Sequence, residues 1–411
     1  MSQESEYQFY VGIDWGSEHH QVCIVDRPGQ RTEHRVAHTS AGLAALATEL
    51  VALSPEDPGR VAVGLEVPRG PVVDSLLEGG LHVFALNPKQ LDRFRDRHTV
   101  AGAKDDRRDA FVLADALRTD RAAFRRVQRD DPAIVELREL SRLDDDLREE
   151  FSRLSNRLRE QLHRIGPDLL ALCPAADEPW FWALLERALL PRPQRVAGKA
   201  VTAILKVHRI RRLSVEAVQA ALQIPLLRGA PGTIDAAGAH IALLLPRVRL
   251  VYDQRTRTVG PRIEALLTAL GQADGGGEHR DVTILRSLPG VGRLVAATVL
   301  AEASRPLADR DYQTLRAQAG VAPVTRQSGK RAVVSMRWAC NARLRHAIYH
   351  WARVSIQVDA RCRAHYDRLR HSGHGHARAL RGVADRSLAV LMAMLRSRTL
   401  YDPERRAQKA A

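Results

Sequence analysis

Apolar positions along this chain follow two different periods, and the change between them divides it. Over residues 9–86, short apolar runs alternate with polar turns, as strands and short helices require. Phe9–Asp14, Gln21–Asp26 and Thr32–His38 read as three antiparallel strands, with Arg27, Pro28, Gly29 and Gln30 as a hairpin turn. A helix from about Ser40 to Leu53 follows, with Ser40 as N-cap and Leu43, Leu46, Leu50 and Leu53 on one face. Then come the strand Val61–Glu66, a helix near Val72–Leu77, and the strand Leu81–Leu86 closed by Asn87 and Pro88. Lys104–Leu117 has helical periodicity and completes an α/β domain.

Beyond it the period is helical. From Ile134 to Leu172, Leu147, Phe151, Leu154, Leu158, Leu162, Ile165, Leu169 and Leu172 recur at threes and fours, the pattern of a coiled-coil seam or long bundle helix. Trp180, Phe181 and Trp182, then Pro191, Pro193, a basic run His208–Arg212 and a short helix Val215–Leu222 suggest an inserted helical module over about 175–232. A second long helical region, roughly Ala236–Leu270, runs back along the first, with Pro246 and Pro261 expected to kink or break it. Gln272–Gly277 reads as a hinge. Leu285–Leu300 places Pro289, Gly290, Val291 and Gly292 between an apolar turn and a small-residue helix, the pattern of a helix-hairpin-helix. Ala319–Arg331 reads as a polar, basic loop, and Arg337–Ile356 and Val383–Arg398 as helices. The predicted organisation is α/β followed by all-α: an RNase H-like domain over 7–128, long coiled-coil helices with the module over 132–272, a helical domain over 280–400 and a basic tail over 401–411.

Charge sharpens this division. The net charge is +15, and residues 321–411 hold 19 Lys and Arg against five Asp and Glu, so the excess lies at the C-terminal end. Of 63 basic residues 57 are Arg, which suits bidentate phosphate contact, although a GC-rich genome also favours Arg over Lys. The concentration at one end points to a polyanion, in particular nucleic acid. Cys23, Cys173, Cys340 and Cys362 lack zinc spacing or a disulfide framework and read as buried thiols. No apolar run is long enough for a bilayer and the N-terminus lacks a signal core, so a cytoplasmic protein without membrane partners is expected.

Candidate chemistry sits on the strand ends. Tyr10–Asp14 and Val61–Glu66 are apolar runs that each end in a carboxylate, so paired strands would bring Asp14 and Glu66 to one sheet edge. Asp106 and Asp109 share a helix face at i, i+3, while Asp105 with Asp109 at i, i+4, or Asp115, serve equally well by register. Four acids from three elements suit a hard divalent ion. Gly290 and Gly292 would let backbone N–H groups approach phosphate, and Arg293, Arg326, Lys330 and Arg331 are the adjoining cations. His371, His374 and His376, near Gly373 and Gly375, offer a metal-binding reading but fit a solvated loop better, and His19 and His20 are uninformative.

These motifs together resemble the DEDD-type insertion-sequence transposases, RNA-guided recombinases with a Holliday-junction-resolvase-like N-terminal domain and a helix-hairpin-helix C-terminal domain. The resemblance covers 9–120 and 282–400, through Gly12-Ile13-Asp14, Glu66, and Lys104-Asp105-Asp106-Arg107-Arg108-Asp109-Ala110, whose pattern selects Asp106. It implies Asp14, Glu66, Asp106 and Asp109 as ligands of two Mg²⁺ or Mn²⁺ ions, and Ser328, in a loop before Gly329, as a covalent nucleophile. It further implies double-stranded DNA at element ends and target as substrate, a bridge RNA as guide and a place at the nucleoid, while the coiled-coil seam points to a homodimer or homotetramer. Where the family commonly continues its glutamate with Ala-Thr-Gly, this chain has Val67-Pro68-Arg69-Gly70. Rival readings are a hydrolytic RNase H-fold junction nuclease, an actin-like or sugar-kinase ATPase suggested by Gly12–Ser17, and a catalytically inert nucleic-acid scaffold.

Overall fold

The computed structural model describes residues 7–66, 70–87, 91–95, 105–188, 196–227, 229–230, 232–272, 280–329 and 331–403, without the side chain of Arg331. The chain divides into two compact units, 1–130 and 131–411.

The first unit is built on strands β1 (Phe9–Asp14), β2 (His19–Asp26), β3 (Arg31–Ala37), β4 (Val61–Leu65), β5 (His82–Ala85) and β6 (Arg125–Arg126). Their order is β3-β2-β1-β4-β5-β6. The hairpin meander β1–β3 is antiparallel, whereas β4 joins β1 and β5 joins β4 in parallel, as the alternation of period predicts. Both faces are covered, so the central strands are buried on both sides. Val11, Ile13, Val61, Val63 and Leu65 face helices α1 (Ser40–Ala52) and α2 (Pro71–Glu78), which contribute Leu43, Leu46, Leu50, Val72, Val73 and Leu76. The opposite face receives α3 (Asp106–Asp120) through Ala110, Val112, Leu113, Ala114 and Leu117. The cap of α1 is Thr39, whose hydroxyl accepts from the Gly42 N–H at 3.1 Å; Ser40 is already the first helical residue.

In the second unit the long helix α4 (Pro132–Ile165) starts on the Asp131 cap and ends at Gly166, before a 3₁₀ turn over Pro167–Ala171. The predicted run to Leu172 is therefore broken by Gly166 and Pro167, which cannot continue the helical hydrogen-bond ladder together. Helices α5 (Pro179–Ala188), α6 (Gly198–Val207) and α7 (Val215–Gln223) form the module, and Trp180, Phe181 and Trp182 are core.

Helix α8 (Thr233–Asp253) returns along α4. The contacts Arg157 with His240, Asp144 with Arg255 and Glu136 with Arg262 advance in opposite directions, so the two run antiparallel. Pro246 does not break α8, because it lies on the exposed face where water can satisfy the freed carbonyl. Ahead of Pro261 the chain widens into a π-helical stretch, Gln254–Val259, which gives its ring room before α9 (Gly260–Gly271).

Helices α10 (Asp281–Ser287), α11 (Arg293–Glu302), α12 (Ser304–Ala308), α13 (Tyr312–Gln318), α14 (Ala342–Val358), α15 (Ala360–His371) and α16 (His376–Ser397) complete the unit. One core runs from Leu137 to Leu395, so the predicted boundary near 273 falls inside this unit. The seam leucines Leu147, Leu154, Leu158 and Leu162 are spent within the chain, which removes them as an argument for a dimer. Residues 319–331, expected as a loop, include β7 (Val324–Ser328), paired antiparallel with β8 (Arg331–Ser335). Thr325, Arg326, Gln327 and Ser328 are all exposed, so the hairpin has no apolar alternation for a sequence reading to detect. Among the described residues no helix is long and apolar enough to cross a membrane.

Candidate active site

The site begins with a repeated triplet, glycine, aliphatic residue, acid: Gly12-Ile13-Asp14 and Gly64-Leu65-Glu66. In the parallel register of β1 and β4, Gly12 lies opposite Gly64 and Ile13 opposite Leu65. Asp14 and Glu66 therefore leave the carboxyl ends of neighbouring strands, where α/β sheets place their chemistry.

The paired glycines form a shelf for α3. A Cβ on Gly12 would lie 1.9 Å from the Ala110 carbonyl oxygen and 2.7 Å from the Ala114 nitrogen, and one on Gly64 would lie 2.9 Å from Leu117 Cδ1. Only bare backbone permits this approach. It sets the first turn of α3, with Asp106 and Asp109, beside the strand ends.

Within α3 the four acids have different surroundings. Asp105 is the N-cap, its carboxylate accepting from the Arg107 N–H at 3.2 Å. Asp115 accepts from Arg118 at 2.7 Å. Asp106 is exposed on the first turn, and Asp109 is buried, with 3% of its side chain accessible.

A cation sits among them. Arg95 donates through Nε and Nη2 to the two Asp109 oxygens at 2.7 and 2.8 Å, through Nη2 to Glu66 at 3.4 Å, and through Nη1 to Asp92 at 2.7 Å. Burial alone would lower the Arg95 pKa, but the Asp109 hydrogen bonds and the charges of Asp109 and Glu66 outweigh it and raise it. Among the described residues no three of the four acids bring ligand oxygens within 4.8 Å of one another. The one such group is Cys173, Asp177 and Glu178, where Glu178 is already taken by Arg212 at 2.6 Å and Trp180 at 2.8 Å. Asp14, Glu66, Asp106 and Asp109 nevertheless fit a divalent ion: they are all oxygen donors from three elements, and the buried carboxylate has drawn in a positive charge. Sequence reasoning missed Arg95, which sits in an unremarkable charged run, and the shelf, whose signal was the repeated triplet.

Beside Asp14, Trp15 packs at a tilt against His20 and His38, with ring centroids 4.9 and 5.4 Å away. His20 is fully buried and its Nε2 is 2.8 Å from His38 Nδ1. Burial, then the His38 and His19 charges, hold its pKa below the ordinary value.

In the second unit, Ser328 occupies the last strand position before the turn of the β7–β8 hairpin, opposite Arg331. Gly329 there has φ +56°, the left-handed conformation such a tip needs. Ser328 and Arg326 are exposed, while Lys330 and the Arg331 side chain lie outside the described residues. Gly290, at φ +83°, is pressed against α14, where a Cβ would lie 2.8 Å from the Ser355 nitrogen. Gly292 opens to free space ahead of α11, and Arg293 lays its guanidinium over Gly260.

An RNase H-like sheet with carboxylates at two central strand ends and on the helix across them defines a DEDD-type transposase domain, a class that typically uses divalent metal ions. The DEDD transposase model for IS110 matches residues 11–167, and the model described as "Transposase IS116/IS110/IS902 family" matches 282–367. A protein of Streptomyces coelicolor, named as the mini-circle transposase for IS117, is 31% identical over 98% of this chain and 97% of its own length. The transposase-named y4uE of Sinorhizobium fredii is 48% identical over 49% of this chain and 57% of that one. The uncharacterized 42 kDa protein of insertion element IS900 from Mycobacterium paratuberculosis is 28% identical over 96% and 97% of the two chains. The chain belongs to the IS110 family of insertion-sequence transposases.

Proposed function

We propose that this transposase cuts and rejoins DNA strands through a covalent link to Ser328, with Asp14, Glu66, Asp106 and Asp109 holding two divalent ions, Mg²⁺ or Mn²⁺. The observation that carries the reading is the shelf of Gly12 and Gly64, which sets α3 and its acids beside two strand-end carboxylates. Bound there, divalent ions would supply polarisation of the phosphodiester and stabilisation of its displaced oxygen. Asp109, buried and charged, anchors the acid set, and Arg95 balances it. The Ser328 oxygen forms an ester to phosphorus as the DNA oxygen leaves and takes up the hydroxyl proton, which conserves the bond for rejoining. The hairpin tip presents that hydroxyl away from its own core. Gly292 at the start of α11, in a helix-hairpin-helix, and Arg326 hold phosphate without reading sequence. A bridge RNA selecting donor and target, and a homodimer or homotetramer bringing serines and acids together, complete the reading.

The test is covalent trapping. In Mg²⁺, wild-type protein incubated with nicked element-end DNA and its co-purified RNA is expected to give a denaturation-resistant DNA adduct. Asp14→Asn and Ser328→Ala should each give none while still binding DNA. An adduct in Ser328→Ala refutes the serine; DNA cleavage in that variant with no adduct in any variant supports the hydrolytic nuclease instead.

A further inference from the structure

Three of the five tryptophans, Trp180, Trp182 and Trp351, are at most 1% exposed, and Trp15 packs on two histidines. Trp338 is 78% exposed. An indole left in water forgoes a large burial gain. Arg345 Nη2 donates to the backbone carbonyls of Arg337 at 3.2 Å and Trp338 at 2.9 Å, while its guanidinium carbon lies 5.8 Å from the indole centroid. Arg337 Nε reaches the Ala322 carbonyl at 3.4 Å, and Arg381 reaches the Met336 sulfur at 3.5 Å.

The surroundings are cationic. Among the described residues, Arg337, Arg345 and Arg381 have no carboxylate partner, and neither has Arg326 on the preceding hairpin, although most arginines near the α4 seam do. The exposed Val333 and Val334 extend the surface along β8. A protein partner would bring its own charges to pair these arginines and an apolar ring to seal the indole, and the three arginines beside Trp338, Arg337, Arg345 and Arg381, complement phosphate better.

We propose that Trp338 is a stacking platform for an unpaired base of single-stranded DNA, with the surrounding arginines tracking its phosphates. An aromatic face in a positively charged setting is what sequence-tolerant single-strand binding requires. The choice of DNA over RNA rests on the reading of Ser328 as the DNA attachment point, since the indole follows the hairpin that carries it. The stacking itself does not depend on that reading.

The experiment titrates full-length protein with a short labelled oligothymidylate, with the matching oligouridylate, and with heparin, a polyanion without bases. Trp338→Ala is expected to weaken oligothymidylate binding on the order of tenfold, the loss one base–aromatic stack carries. Trp338→Phe should retain most of the affinity, and heparin binding should be unchanged in both. Equal oligothymidylate affinity in Trp338→Ala and wild type would overturn the proposal, as would a parallel loss of heparin binding. An effect confined to oligouridylate would overturn the assignment to DNA. Ser328→Ala enters as a control: it should bind oligothymidylate normally, so loss of the covalent adduct and loss of stacking remain separate results.

Discussion

Single side chains in the first unit work against water and against one another. His20 is buried in its neutral form between Trp15 and His38, because ionising it there would cost desolvation and repulsion. Its folded pKa lies below the ordinary 6.5, so the unfolded chain binds a proton that the folded chain refuses. This penalty is absent above pH 6.5 and grows as pH falls beneath it, where the unfolded state holds more protons. The thermal midpoint of wild-type protein should therefore drop as pH falls below this value, and His20→Gln should flatten that part of the profile. An unchanged profile in the variant would mean that other groups set the acid limb. Cys23, by contrast, has its thiol pushed up to about 12, first by burial and then by Glu33, and is inert packing.

At the scale of elements, the site depends on how closely α3 lies on the sheet. Gly12→Ala puts a methyl group into the Ala110 carbonyl and forces the helix off β1. A loss of about 2–3 kcal/mol is expected, in the range of overpacked cores. Gly292→Ala, with nothing within 4 Å, should cost far less, and comparable thermal midpoints for the two variants would show that the shelf does not hold the helix. Much of this architecture was legible beforehand. The strand order β3-β2-β1-β4-β5 follows from a meander turning into alternating strand and helix, and the antiparallel return of α8 follows from its apolar face. What escaped had no periodic signal. The β7–β8 hairpin has no buried face, the π-helical stretch ahead of Pro261 has no sequence signature in its own residues, and Arg95 reaches Asp109 by a tertiary path that local charge pattern does not encode. Asp105, Asp106, Asp109 and Asp115 are alike by register, and what sequence could not show is their partners: a cap contact for Asp105, Arg118 for Asp115, and Arg95 for Asp109.

On the scale of the molecule, the two units carry different parts of one proposed reaction. The acids belong to the unit of residues 1–130, and Ser328, Gly292 and Trp338 to that of 131–411, which also holds the C-terminal excess of arginine. Such a division lets positive charge gather DNA without approaching the carboxylates in sequence, and it requires the ion centre to be assembled wholly within the first unit. Calorimetric titration of Mn²⁺ into full-length protein tests that requirement most directly. Wild type should bind saturably, Asp14→Asn, Glu66→Gln, Asp106→Asn and Asp109→Asn should each weaken binding at least tenfold, and Arg95→Ala should tighten it, because a competing cation has been removed from Asp109 and Glu66. Undiminished Mn²⁺ binding in the four acid variants, each shown to be folded, would contradict the carboxylate centre.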